Sequence, residues 1–212
     1  AAVADDHQRV VARKLQRVVQ QLEGLLQGHA RGPGAEFPQE LLADVRGEAA
    51  VAAALAIAER FDVPALGIGA DVTSRASVTA MLEVTQQKLG RVDILVNNAA
   101  RNPRVESASD SFTSLEQFSL DEWNADVAVG LTGAFLCSSV VGSAMAAAGR
   151  GVIINISSEY GIIAPDQRLY YRAGEPAERQ PKKPVSYSVV KAGLHGLTLY
   201  LATYWAEAGV RA

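Results

Sequence analysis

From about residue 40 onward, short apolar runs alternate with longer stretches in which apolar side chains recur every three or four positions. The runs "ELLADV" (40–45), "VPALGIGADV" (63–72), "VDILVNN" (92–98) and "GVIINISS" (151–158) predict strands. Between them an alanine-rich stretch, 48–61, predicts a helix. Thr73 is placed to cap a second helix, on which Val78, Met81, Leu82, Thr85 and Leu89 fall on one stripe. Ser119 and Glu122 stand in capping-box spacing and open a long helix that runs to about Ala148. The last helix begins near Ser186. Continuous apolar strands alternating with helices predict an α/β fold, a doubly wound parallel sheet with helices on both faces. In such sheets ligands bind beyond the carboxyl ends of the strands, where Asp44, Asp71, Asn97 and Ser158 all fall.

The first 36 residues read differently. Val10, Val11, Leu15, Val18, Val19, Leu22, Leu25 and Leu26 recur at helical spacing within 5–27, and the Gly- and Pro-rich 28–38 breaks that helix. The expected organisation is a helical segment over 1–36, followed by one α/β domain over 37–212. Between the last strand and the last helix lies a long charged loop, "DQRLYYRAGEPAERQPKKP" (166–184). Loops of this length inside compact domains are more often functional than idle.

Composition narrows the classes. A net charge of −3 over 212 residues offers no basic field for nucleic acid or anionic lipid. Arg9, Arg13, Lys14 and Arg17 read as a solvated helix face. Charges or Gly and Ser interrupt every apolar run, so no membrane span is expected. The single cysteine, Cys137, allows no internal disulfide and sits in an apolar helical setting. No metal-ligand cluster is expected, and the chain reads as soluble and cytoplasmic.

One short stretch carries chemistry: "PVSYSVVKAGLHG" (184–196) places Tyr187 and Lys191 one helical turn apart on one face. A phenol is a poor base at neutral pH, and an ammonium beside it favours the phenolate. If the pair lines a pocket it is an acid–base device. If it faces water it is a solvated surface pair, and the spacing alone does not choose between these.

Four motifs in order resemble the short-chain dehydrogenase/reductase family: "ADV" (70–72), "NNAA" (97–100), "NISSEYG" (155–161) and "YSVVK" (187–191). The resemblance runs from about Glu40 to the carboxyl end. It implies a Rossmann-like fold and an oxidoreductase interconverting a secondary alcohol and a ketone with NAD or NADP. Tyr187 would be the acid/base, Lys191 its tuner and a holder of the nicotinamide ribose. Ser158, three residues before Gly161 as in the family, would bind the substrate oxygen. Asp44, Asp71, Val72, Asn97 and Ala99 would face the dinucleotide. A carboxylate such as Asp44 at the end of the second Rossmann strand repels a 2′-phosphate, which favours NAD over NADP, although Arg46 weakens that preference. A helix-capping role for Asp44 is the other reading. The family's long helices commonly pair subunits, so a homodimer or homotetramer is expected. Arg168, Tyr170, Tyr171, Arg172, Lys182 and Lys183 would suit a sugar or anionic substrate.

The pattern also departs from the family. No strand with a Gly-x-x-x-Gly-x-Gly turn precedes "ELLADV"; "GLLQGHA" (24–30) is the nearest string, and it follows a helical pattern. Gly130 stands where the family places an asparagine that bends the helix and relays protons through water. The chain ends at "GVRA", where the family's next strand and substrate loop would follow. The rival reading is therefore an inactive short-chain-dehydrogenase-like fragment that only binds or associates.

Overall fold

In the computed structural model, residues 39–101 and 114–212 are described. The helix expected within 1–36, the "GLLQGHA" string and most of the Ser- and Asp-rich loop after the third strand lie outside them. The chain divides into two units, Ala1–Ala70 and Asp71–Ala212.

In the first unit, β1 (Glu40–Asp44), α1 (Gly47–Phe61) and β2 (Ala65–Gly69) form a βαβ element, the strands parallel with Glu40 opposite Ala65 and Asp44 opposite Gly69. Alanine is what lets the helix lie close. Ala50 and Ala54, four apart, are buried, and Gly67 of β2 lies so near that a Cβ on it would approach the Ala50 and Val51 backbone.

The second unit contains α2 (Arg75–Leu89), β3 (Ile94–Asn97), α3 (Leu120–Val127), α4 (Gly133–Ala147), β4 (Gly151–Asn155), α5 (Val185–Tyr204) and β5 (Val210–Arg211). Its sheet has the order β3-β4-β5, every pairing parallel. The next strand, expected to follow "GVRA", is already present within it: Val210 and Arg211 pair with Gly151 and Val152 of β4. Among the described residues the strands form these two hydrogen-bonded sets and no strand joins them.

The stripe on α2 is buried as the periodicity required, through Val78, Met81, Leu82 and Thr85. Its cap is Ser74 and not Thr73. The Thr73 N–H and hydroxyl both bind Asp71 Oδ1, at 2.9 and 2.7 Å, so the helix starts one residue later. Ser119 caps α3 by accepting from the Glu122 N–H at 3.1 Å, as the capping box predicts. A π-helical turn, Ala128–Thr132, separates α3 from α4.

Taken together, 120–147 is long and apolar enough to cross a membrane by length and composition, which corrects the sequence expectation that no run is. Its apolar character has another cause. In its second part, α4, the residues Ala134, Leu136, Cys137, Val141 and Met145 are buried in the unit, so that face serves the core. Burial pushes the Cys137 thiol up to about 11, which leaves it an inert filler.

A polar clamp ties the sheet to its helices. The Asn97 side-chain amide donates to Asn155 Oδ1 at 2.8 Å and to Ser138 Oγ at 3.0 Å. Asn155 in turn donates to Thr198 Oγ1 at 2.9 Å, joining β3, β4, α4 and α5. Replacing Asn97 by alanine strands buried acceptors. The expected loss is about 2–4 kcal/mol in a urea unfolding titration.

Candidate active site

β4 and α5 are locked together where Tyr187 and Lys191 stand. The Lys191 ammonium donates to the Ile156 carbonyl at 2.5 Å, and the Ser157 hydroxyl donates to the Lys191 carbonyl at 2.8 Å. A short helical turn, Glu159–Gly161, then presses on the same peptide. A Cβ at Gly161 would lie 2.7 Å from the Lys191 carbonyl carbon and 2.9 Å from Ala192 N. Only glycine permits that approach.

Of the tandem serines, Ser157 is committed to the α5 backbone. Ser158 remains at the surface of the turn, accepting from the Tyr160 N–H at 3.3 Å and donating to Glu159 Oε2 at 3.1 Å. Both partners belong to its own turn, and Glu159 is exposed, so the hydroxyl can exchange that bond for one to a ligand oxygen.

Tyr187 lies in the first turn of α5, half-buried. Its ring meets Tyr160 edge-on at 6.3 Å. The Lys191 ammonium is 5.7 Å from the ring centroid, on the same helix face as the sequence spacing required. A second cation, which the spacing did not single out, is closer: the Lys183 ammonium lies 3.9 Å from that centroid.

Beside the pair is a cavity of about 20 Å³, bordered by Ala100, Arg101, Asp126, Gly130, Tyr187 and Lys191 among others. That is room for about one water molecule. Gly130 lies inside the π-helical turn, so the helix deviates from regular α geometry at this position. The glycine has a second reason: a Cβ there would sit 2.6 Å from Val190 Cγ1 on α5.

Asp126 is the residue the sequence reading missed. It is 8% exposed and accepts from the Ser186 hydroxyl at 2.5 Å through Oδ2. Arg101 Nη1 stands 3.4 Å from Oδ1. The signal was present in the sequence: an acid one helical turn before Gly130, with Glu122 one turn earlier on the same face.

The other candidates distribute as follows. Asp71 is exposed, its carboxyl held below the usual range by the Thr73 hydroxyl and N–H. Val72 packs on α4, where a Cβ at Gly133 would lie 2.7 Å from its Cγ2. Asn97 turns its side chain inward to the clamp, while Ala99 is exposed just past β3. Asp44 belongs to the first unit, where its Oδ1 accepts from the Arg46 N–H at 2.9 Å and from Arg46 Nε at 3.3 Å. That bonding closes the turn into α1. Among the described residues no three His, Cys, Asp or Glu side chains converge as a metal site.

The long loop is a built element. Gln180 is buried, accepting from the Arg172 N–H at 2.8 Å and donating to the Arg172 and Glu175 carbonyls at 2.9 and 2.7 Å. Gln167 likewise accepts from the Lys183 N–H at 2.8 Å. Asp166 pairs with Arg168 at 2.7 Å and takes up its charge.

The chain is similar to several known proteins. D-Threitol dehydrogenase of Mycolicibacterium smegmatis is 33% identical over 145 residues, 68% of this chain and 46% of that protein. A 3-alpha-(or 20-beta)-hydroxysteroid dehydrogenase of Mycobacterium bovis is 32% identical over 198 residues, 88% of this chain and 64% of that protein. The crystal structure of a gluconate 5-dehydrogenase from Burkholderia cenocepacia, in complex with NADP and tartrate, superposes with a TM-score of 0.61 at 27% identity. It covers 81% of this chain and 58% of that one. The chain spans about half the length of the curated relatives it matches. The short chain dehydrogenase profile matches residues 34–212, and the chain belongs to that family.

Proposed function

We propose that the chain is an NAD(P)-dependent oxidoreductase that interconverts a secondary alcohol and a ketone, with Tyr187 as acid/base. The observation that carries this is the lock between β4 and α5. It sets the strand end that leads into Ser158 against the helix that carries Tyr187 and Lys191, residues that taken separately each have an ordinary structural reading.

In the oxidising direction Tyr187 takes the hydroxyl proton of the substrate, and Ser158 hydrogen-bonds the substrate oxygen as it becomes a carbonyl. The Lys191 ammonium, 5.7 Å from the Tyr187 ring centroid, keeps its orientation through the Ile156 carbonyl. A nicotinamide dinucleotide, when bound, supplies the hydride acceptor. The residues present fit its nicotinamide end, with the Lys191 ammonium, the Tyr187 phenol and Ala100, next to the exposed Ala99, bordering one cavity. Asp71 and Val72 are the candidates for its adenine end. The preference for NAD rests on the sequence reading of Asp44, and the Arg46 contact offsets it.

A polyol or sugar is the substrate class we favour, because the relatives include enzymes named for threitol and gluconate. The pairing of Arg168 with Asp166 argues against a strongly anionic substrate. The second reading is the inactive fragment, and the sequence supports it: no Gly-x-x-x-Gly-x-Gly turn precedes "ELLADV". Titration with NADH and NADPH, read by nicotinamide fluorescence, separates the two. Saturable binding below millimolar concentration is expected, and no binding by either dinucleotide at millimolar concentration sinks the enzymatic reading.

A further inference from the structure

Two ammonium groups stand at the Tyr187 ring, and only one of them comes from the helix that carries it. Lys191 belongs to α5. Lys183 belongs to the end of the long loop, and its ammonium is the nearer, 3.9 Å from the ring centroid against 5.7 Å. Both lysines border the cavity beside the ring.

The loop is built to hold Lys183 there. The Gln167 side-chain amide grips both backbone groups of the residue: Oε1 accepts from the Lys183 N–H at 2.8 Å, and Nε2 donates to the Lys183 carbonyl at 3.3 Å. Pro184 follows, and a residue before proline is restricted to extended backbone. These constraints act on the backbone and do not require a lysine. What the lysine adds is a charge at the ring.

The charges around the cavity favour an anion. Among the described residues that border it, Arg101, Lys183 and Lys191 are cations, and Asp126 is the one acid. Arg101 is taken up by Glu122 at 3.1 Å and Asp126 at 3.4 Å. The Lys191 ammonium is directed at the Ile156 carbonyl. The half-buried Lys183 lies over the face of a phenol, a weaker contact than a charge-assisted hydrogen bond. An ammonium carries three N–H donors, which a ring face does not exhaust. A ligand carboxylate can therefore bind Lys183 while the ring stays in contact. Arg168, in the same loop, is instead paired with Asp166 at 2.7 Å.

We propose that Lys183 is a specificity-determining residue that binds one carboxylate of the substrate, so that the chain acts on polyols carrying a single carboxylate in preference to neutral ones. This rests on the oxidoreductase reading above and narrows its substrate class.

The test compares a neutral four-carbon polyol with the aldonate that carries a carboxylate in place of one terminal CH2OH. For the wild type, kcat/KM should be about tenfold to a hundredfold higher for the aldonate, the range of a hydrogen bond to a charged group. Lys183→Met keeps the stem of the side chain without its charge. It should bring the two substrates within about threefold, by raising KM for the aldonate alone. Lys183→Arg should restore most of the preference. The Gln167 bonds are to backbone, so the Met variant should melt within about 2 °C of wild type. A wild type that does not prefer the aldonate overturns the proposal, and that result needs no variant. A Met variant that loses activity equally on both substrates also overturns it, since such a lysine only seats the ring. If the wild type binds no dinucleotide or turns over neither substrate, the oxidoreductase reading fails. Calorimetric titration with the aldonate then decides the carboxylate site: binding that Lys183→Met weakens about tenfold keeps it, and equal binding or none overturns it.

Discussion

Tyr187→Phe is expected to lower kcat/KM by about 10²–10⁴-fold, or roughly 3–5.5 kcal/mol of transition-state stabilisation. The change is clean because the ring's neighbours do not depend on the hydroxyl. The edge contact to Tyr160 at 6.3 Å and the cation contact to Lys183 at 3.9 Å are made by the ring. The melting temperature should therefore stay within about 2 °C of wild type. Dinucleotide affinity should also hold, since Lys191 keeps its bond to the Ile156 carbonyl. The loss should appear in kcat and not in KM, as expected for an interaction made only in the transition state. A Phe variant with wild-type turnover would remove Tyr187 from the chemistry. A variant that melts early would mean that the phenol serves the fold.

The second large effect is expected at Gly161. Alanine there puts a Cβ 2.7 Å from the Lys191 carbonyl carbon, 2.8 Å from its oxygen and 2.9 Å from Ala192 N. These are backbone atoms of α5, so no side-chain rotation relieves the clash. Glycine is required by close approach here and not by a left-handed backbone, since Gly161 is not among the residues with positive φ. Overpacking of this kind costs about 1–3 kcal/mol. For a chain of this size that is roughly 2–12 °C in melting temperature. The same push separates α5 from β4 and disturbs the Ser157 bond that fixes Lys191. Misplacement by about 1 Å can cost about 10²-fold in rate. Gly161→Ala should thus melt early by circular dichroism and also show depressed kcat/KM well below its transition. Wild-type melting would contradict the contact.

The sequence was most legible where the governing interactions are local. The capping box at Ser119 and Glu122 gave the start of α3, and the stripe Val78–Met81–Leu82–Thr85 gave the buried face of α2. Tyr187 and Lys191 share a face for the same reason: helical spacing is a property of neighbours. Thr73 was misassigned as a cap because the competing acceptor, Asp71, lies outside the helix pattern. The strands are shorter than their apolar runs, β2 ending at Gly69 where the run extends to Val72. Apolar character marks burial as well as pairing, and the two do not end together.

What stayed hidden depends on partners far along the chain. Ser186 reaches Asp126 across 60 residues, and Gln167 and Gln180 fold the long loop onto itself by backbone bonds that no spacing announces. Asn97 was expected to face a dinucleotide, but its side chain is engaged inward by residues 41 and 58 positions away. The two serines were separable by motif position. The physical reason, that Ser157 is spent on the Lys191 carbonyl, required the packing of α5 on β4.

The central claim is that Tyr187 and Ser158 act on one oxygen beside a nicotinamide ring. The most direct measurement is a crystal structure of the chain with dinucleotide and a substrate-like polyol. The prediction is that both hydroxyls lie within about 2.6–3.2 Å of the same ligand oxygen, with Lys191 against the nicotinamide ribose. A dinucleotide bound elsewhere, or a ligand oxygen that reaches neither hydroxyl, would contradict it.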